Sequence, residues 1–382
     1  MRRYAILILG NLVLCGCKSE DAGKGVPTAV ASGSGAPLAS GSSAAAPRKT
    51  AEEEAAEALA KYTAALPLSK PLSPKTGEFV AGPIKVGAEL CTLSDGNPVS
   101  QSHMGVYSSV RVIGDHIAVI GGTEGVIKLY KIEKGAGCKL TLDTAVGDKG
   151  MLKPADHVKP SRLTSDEQGH LYASSGVFGT IRYKKDFTYD YKCAPRMSGY
   201  LVPHASGKWG YGHFVGSAMS KIDFDTTGCK GDTSFIDPQK KAGPFAMIHT
   251  VAFNGDAVLI GGSLSDGGKH VVVEFDKAGK EKFRIGNTTA AVSPEDGFGW
   301  VHAISMCKLG LCVLDSNYRS IGVWTADGKK HLTRVSLKEI TGLDYGWYSD
   351  FVVSKAGTFI LAGQTRAVKE VSEGLIYRLS GI

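Results

Sequence analysis

The stretch HTVAFNGDAVLIGGSLSDGGKHVVVEFDKAGKEKFRIG, His249 to Gly286, decides the fold. Its apolar runs Val251-Ala252-Phe253, Val258-Leu259-Ile260 and Val271-Val272-Val273 are short and rich in β-branched and aromatic residues. That composition and length suit strands. Between them lie Asn254-Gly255-Asp256, the span Gly261 to Lys269, and Asp276-Lys277-Ala278-Gly279, all turn-forming. A more polar fourth strand is expected over Lys280 to Ile285.

The unit recurs. Asn254 to Gly262 aligns without a gap with Lys355 to Gly363, and Gln168 to Ser175 follows the same pattern. Ile113 to Gly122 matches with one extra residue, and Ser206 to Tyr211 and Leu309 to Leu314 are weaker copies. The turns are spaced by roughly 40 to 55 residues, the period of a propeller blade. Third strands are expected at Val126–Ile132, Thr180–Lys184, Ser220–Phe224, His270–Phe275, Ile321–Thr325 and Leu375–Leu379. The fold class is therefore all-β, a six-bladed β-propeller over residues 79–382. A β-sandwich fits less well, because the repeat persists through the whole region. The turns Phe275 to Lys280 and Trp324 to Lys329 resemble those of NHL-type blades.

The last copy stops after its third strand. Upstream of the first copy stands a spare strand, Ile84 to Leu93, whose Gly87 to Leu93 resembles the first copy's outer strand, Gly137 to Leu142. This N-terminal strand is expected to complete the last blade and close the ring, which leaves only short edges exposed.

Residues 1–17 read as a signal: Arg2-Arg3, then an apolar run Tyr4 to Leu14 too short to span a bilayer. Leu14-Cys15-Gly16-Cys17 resembles the lipobox of bacterial lipoproteins, with Cys17 as the lipidated residue. An ordinary cleaved signal is the alternative. Several acyl chains on one Cys would anchor the protein stably. Lys18 after Cys17 implies, by the same resemblance, the outer membrane of the cell envelope, periplasmic or surface-exposed. Residues 18–50 are rich in Ala, Ser, Gly and Pro and read as a disordered tether. Residues 51–66 read as a helix capped by Thr50 with Glu53, and 67–78 as a linker.

Gly accounts for 49 of 382 residues, close to twice the usual share of about 7%. Net charge is +7, with no basic block interleaved with aromatics, so a nucleic-acid partner is not expected. Eight cysteines in an exported chain favour disulfides, two of them belonging to the signal. Cys307 and Cys312 would oppose each other across a Leu309-Gly310 turn, as a disulfide or as two small buried hydrophobes. Cys91, Cys138, Cys193 and Cys229 allow three pairings.

In a propeller the first strand of each blade lines the central channel, so its residues converge on one mouth. The candidates are Ser108 and Ser109, Arg162, His204, His249, His302 beside Trp300, and Asp350 near Trp347 and Tyr348. Arg162, His249, Trp300, His302, Trp347 and Asp350 form a polar and aromatic set of the kind small-ligand sites use. No cofactor is expected. The alternative is calcium or zinc held by His249, His302 and Asp350, since some six-bladed propeller hydrolases and lyases hold such ions there. The chain lacks the acidic-plus-Asn set of the calcium lactonase-like enzymes. Gly121-Gly122 and Gly261-Gly262 are expected to serve turns and not phosphates. The sequence thus carries two functions. One is a lipid-anchored binding or scaffold module for a protein, glycan or small ligand, with the connections Asp143 to Lys159, Asp237 to Phe245 and Gly286 to Gly299 shaping its face. The other is a metal-dependent hydrolase or lyase at the channel mouth.

Overall fold

A computed structural model describes residues 77–382 apart from 82–83, 96–98, 103–108, 122–124, 136, 155–157, 176–177, 194–199, 214–218, 226–227, 237–244, 265–268, 287–296, 343–345 and 366–370. The expected signal, tether and helix lie outside the described residues.

Six sheets form the ring of a six-bladed β-propeller. Blade 4 holds the deciding stretch: Phe245–Asn254, Ala257–Leu264, His270–Phe275 and Glu281–Ile285, each antiparallel to the next. Blade 5 repeats it with Val301–Cys307, Gly310–Asp315, Ser320–Trp324 and His331–Ser336. The inner strands of blades 1, 2, 3 and 6 are Ser109–Ile113, Arg162–Ser165, Tyr200–Pro203 and Gly346–Ser354. Two-residue turns join the first two strands at Gly114-Asp115 and Gly255-Asp256. Gly114 and Gly255 have φ of 60° and 59°, the left-handed conformation a primed hairpin turn requires at its first central residue.

The middle strands read as unbroken apolar runs because both faces of each blade are covered. All six residues of His270–Phe275 are buried, as are all six of Gly310–Asp315. Between blades 4 and 5, Leu259 and Val272 pack on Val301, Ile304, Leu311 and Val313. This packing corrects the expected role of Gly261-Gly262. They lie inside the second strand, where a Cβ on Gly261 would run into Val301 Cγ1 and one on Gly262 into the Met247 carbonyl. They permit close packing and make no turn. Gly121 likewise ends its second strand.

The ring closes as the spare strand requires. Ile84–Leu90 runs antiparallel to the last blade's third strand, Val371–Ser380, pairing Gly87 with Ser380 and Leu90 with Tyr377. The chain then crosses the seam. Thr92-Leu93 pairs in parallel with Lys139–Leu142, the outer strand of blade 1. Cys91 N–H donates to the Ile376 carbonyl of blade 6 (2.8 Å), and the next amide, Thr92, donates to the Cys138 carbonyl of blade 1 (2.8 Å). Glu89 bridges the same gap: Oε2 accepts from Arg378 (2.7 Å) and Oε1 from the Cys138 amide (2.8 Å).

Three disulfides join the six described cysteines. Cys91–Cys138 fastens the seam, Cys193–Cys229 joins the outer strands of blades 2 and 3, and Cys307–Cys312 lies within blade 5. The last forms in a register other than expected. Cys307 pairs with Gly310 and Cys312 with Ser305, so the turn is Lys308-Leu309 and the cysteines are diagonal, with Cα atoms 5.9 Å apart. Diagonal neighbours on one sheet face remain within bonding reach when Cα atoms are this close.

Candidate ligand site at the channel mouth

The inner strands of successive blades lie side by side around the axis. Arg162 and Tyr200 open their strands, His302 is the second residue of its strand, and His249 and Asp350 are each the fifth. Those two are mid-strand in longer strands, yet level with the entries of their shorter neighbours: the His249 carbonyl meets Arg162, and Asp350 meets Ser109, the first residue of its strand.

Asp350 is buried and ties blade 6 to blade 1. Its Oδ2 accepts from the Ser109 hydroxyl, the Val110 amide (3.2 Å) and Arg111 Nη1 (2.6 Å), and Oδ1 accepts from the Phe351 amide (2.9 Å). Three donors crowd Oδ2, and Oδ1 takes one. Arg162 takes a different environment. It donates Nη1 to the His249 carbonyl (2.8 Å), and its guanidinium stands 5.2 Å from the Tyr200 ring centroid. Burial lowers its pKa from the ordinary value and Asp350 opposes that shift, but an arginine stays charged.

The His249 ring lies against Trp300 (4.3 Å between centroids) and His270 (5.2 Å). His249 Nε2 and His270 Nδ1 are buried with no hydrogen-bond partner among the described residues. Burial, then His270, His302 and Arg162, bring the His249 pKa down to about 3. Burial and Arg162 bring that of His302 down to about 4, against the pull of Asp350 and a backbone bond at Ser349. Both rings are therefore neutral at physiological pH. The sign of the linkage follows. An unfolded histidine titrates near 6.5, so on acidification the unfolded chain takes up protons first. The stability held by these two rings is complete above that value and is lost as pH falls, toward about 4 for His302 and about 3 for His249. We expect the unfolding free energy from urea titrations to fall between about pH 6.5 and pH 4, by up to about 1.4 kcal/mol per pH unit for each titrating ring. His302→Asn should flatten that slope, and parallel profiles for wild type and variant would contradict it.

The loop that presents Trp300 is organised by Asp315, which is fully buried. Its carboxylate accepts from the amides of Gly299 (2.7 Å), Trp300 (3.2 Å) and Tyr318 (3.0 Å). Trp300 is 36% exposed, and three further exposed residues lie at the same end of the ring: Phe178 and Tyr318 between second and third strands, and Met247 at the start of an inner strand. Antiparallel pairing places those turns beside the strand entries.

The expected set is thus partly brought together. Arg162, His249, Trp300, His302 and Asp350 gather at the mouth, with Ser109 beneath Asp350. His204 does not. It follows the last residue of its inner strand, at the opposite end, where its ring stacks on Trp209 (4.4 Å) and its Nδ1 meets the Ser206 hydroxyl (2.9 Å). Tyr348 turns into the core and pairs with the Thr341 hydroxyl (2.7 Å). Trp347 pairs through its backbone with Gly363; its side chain and Ser108 lie outside the described residues. Of the three expected loops, Asp143 to Lys159 carries a short strand, Met151-Leu152, against the third strand of blade 1. Most of the other two lies outside the described residues. Arg111, Tyr200, His270 and Asp315 were not expected. Arg111 carried a signal, a charge between Val110 and Val112 on an inner strand.

As to metals, the donor set does not fit a cation. Asp350 already pairs with Arg111, and a second guanidinium, Arg162, stands close enough to repel a cation. Among the described residues no group of three or more His, Cys, Asp or Glu is placed to hold one.

Fold and mouth together define a six-bladed β-propeller with a cationic, aromatic channel entrance. No protein-family model matches the sequence, and no curated protein matches it. Solved structures match at the level of fold. A gluconolactonase from Xanthomonas campestris has 10% identity and a TM-score of 0.46, over 82% of this chain and 98% of that one. The Cps50 (Swd1) β-propeller domain of Myceliophteria thermophila has 12% identity and a TM-score of 0.45, over 74% and 99%. A chain of the nidogen/laminin complex has 10% identity and a TM-score of 0.42, over 69% and 94%.

Proposed function

We propose that this protein is a lipid-anchored binding module of the bacterial cell envelope, held by Cys17 and taking a small ligand at the channel mouth. The observation that carries the binding reading is the state of Asp350. A hydrolase or lyase built on His249, His302 and Asp350 needs a carboxylate free to hold a metal or move a proton. Here that carboxylate is committed to structure: three donors from blade 1 hold Oδ2 across the seam, Arg111 among them, and the Phe351 amide holds Oδ1. Three disulfides support an oxidising compartment, as an exported chain requires. The exposed Phe178, Met247, Trp300 and Tyr318 at one end of the ring support a recognition face there.

Two measurements test this reading. Cys17→Ala should abolish palmitate labelling and move the protein from the membrane to the soluble fraction, while Cys15→Ala should do neither. Chelator should leave the thermal midpoint of the purified protein unchanged. Stoichiometric calcium or zinc, lost in Asp350→Asn, would overturn the binding reading in favour of the hydrolase.

A further inference from the structure

We infer that the mouth is a site for a small organic acid, whose single carboxylate is gripped by the guanidinium of Arg162 while its flat body lies toward Trp300. This rests on the reading of the mouth as a ligand site and adds the chemistry of the ligand.

Among the described residues the charges at the mouth do not cancel. Three guanidinia, Arg111, Arg162 and Arg334, stand against two carboxylates; Asp350 is in contact with Arg111, and Asp315 lies 3.8 Å from Arg334. The flanking imidazoles of His249 and His302 carry no charge at physiological pH. Among the described residues one positive charge is left over, and it sits on Arg162, whose partners there are a carbonyl and a ring face, both neutral. A guanidinium has five N–H donors, and Arg162 uses one of its two terminal nitrogens on the His249 carbonyl. The nitrogens left form the planar fork that matches a carboxylate. A charge withdrawn from bulk water pairs more strongly than one at an open surface, so a single anion here gains more than a surface ion pair would. The surplus is one unit, which suits a monoanion better than a phosphate dianion. Trp300 adjoins His249, the residue whose carbonyl Arg162 holds; it packs on His249 and His270 and still leaves part of its indole exposed. A planar unsaturated body suits that surface.

The test uses the full chain in detergent, with benzoate as the probe and benzamide as its uncharged counterpart of the same shape. Benzoate should raise the thermal midpoint saturably and shift tryptophan emission, and benzamide should do neither. Arg162→Lys, which keeps the charge and loses the fork, should weaken benzoate about tenfold; Arg162→Gln should abolish the effect. Should Arg162→Gln fail to fold, the wild type decides: the side-chain NMR signal of isotopically labelled Arg162 should move on addition of benzoate and not of benzamide. Equal responses to the two probes, no response to either, or undiminished benzoate binding in Arg162→Gln would overturn the inference. The binding-module reading fails separately, on its metal and membrane tests. A saturable benzamide response lost in Trp300→Ala would leave that reading standing while removing the acid.

Discussion

Asp350→Ala is expected to lower folding stability by about 3–5 kcal/mol, the usual cost of breaking a buried ion pair from one side. The reason lies in what the carboxylate leaves behind. Arg111 is mostly buried beside it, and the Ser109 hydroxyl and the Val110 and Phe351 amides all point at its oxygens. Removal strands a cation and three donors at the junction where blade 6 meets blade 1. Asp350→Asn keeps the shape and one acceptor oxygen, so its loss should be smaller, with the amide nitrogen set against Arg111. Urea unfolding of the two variants measures the difference. A loss below about 1 kcal/mol in Asp350→Ala would place this pair with exposed ones and remove the argument that Asp350 is occupied.

Cys91→Ser is expected to have the next largest effect, about 4 kcal/mol from chain entropy for a crosslink between residues 47 apart. Cys307→Ser should cost less, about 2 kcal/mol, because that bridge spans only 5 positions. The difference between them should exceed the chain-entropy figure. Cys91 belongs to the segment that pairs with blade 6 on one side and blade 1 on the other, so its bridge fixes the point where the chain crosses the seam. Reductant should accordingly lower the midpoint of the wild type more than that of Cys91→Ser. Equal sensitivity in the two proteins would show that the seam is held by Glu89 and the strand pairing without the bridge.

Some of the mouth was readable before any coordinates and some was not. His249 and Asp350 stand out in the sequence because a polar residue interrupts an apolar inner strand. Arg111 has the same mark, between two valines, yet only its contact with Asp350 explains why a charge belongs there. His204 shows the converse: the repeat gave the blade but not the strand's last residue, and one position past Pro203 the chain has left the inner strand. Tyr200 and His270 each open a strand, and only packing between strands sets their rings beside Arg162 and His249. The Cys307–Cys312 pair formed one register away from the expected turn, because a two-residue hairpin can begin at either of two adjacent positions and a diagonal pair is still close enough.

The sequence alone determined the ring and its closure, since a four-stranded unit repeated six times with its last strand missing has one economical completion, the spare strand at the front. It also marked which residues could enter the channel. Tertiary structure decided which of them meet, that the closing segment grips both sides of the seam, and that Asp350 is tied to blade 1 while Arg162 has no anionic partner among the described residues. Strand periodicity is a local property written every second residue. The balance of charge at a point where six strands converge is a property of the ring.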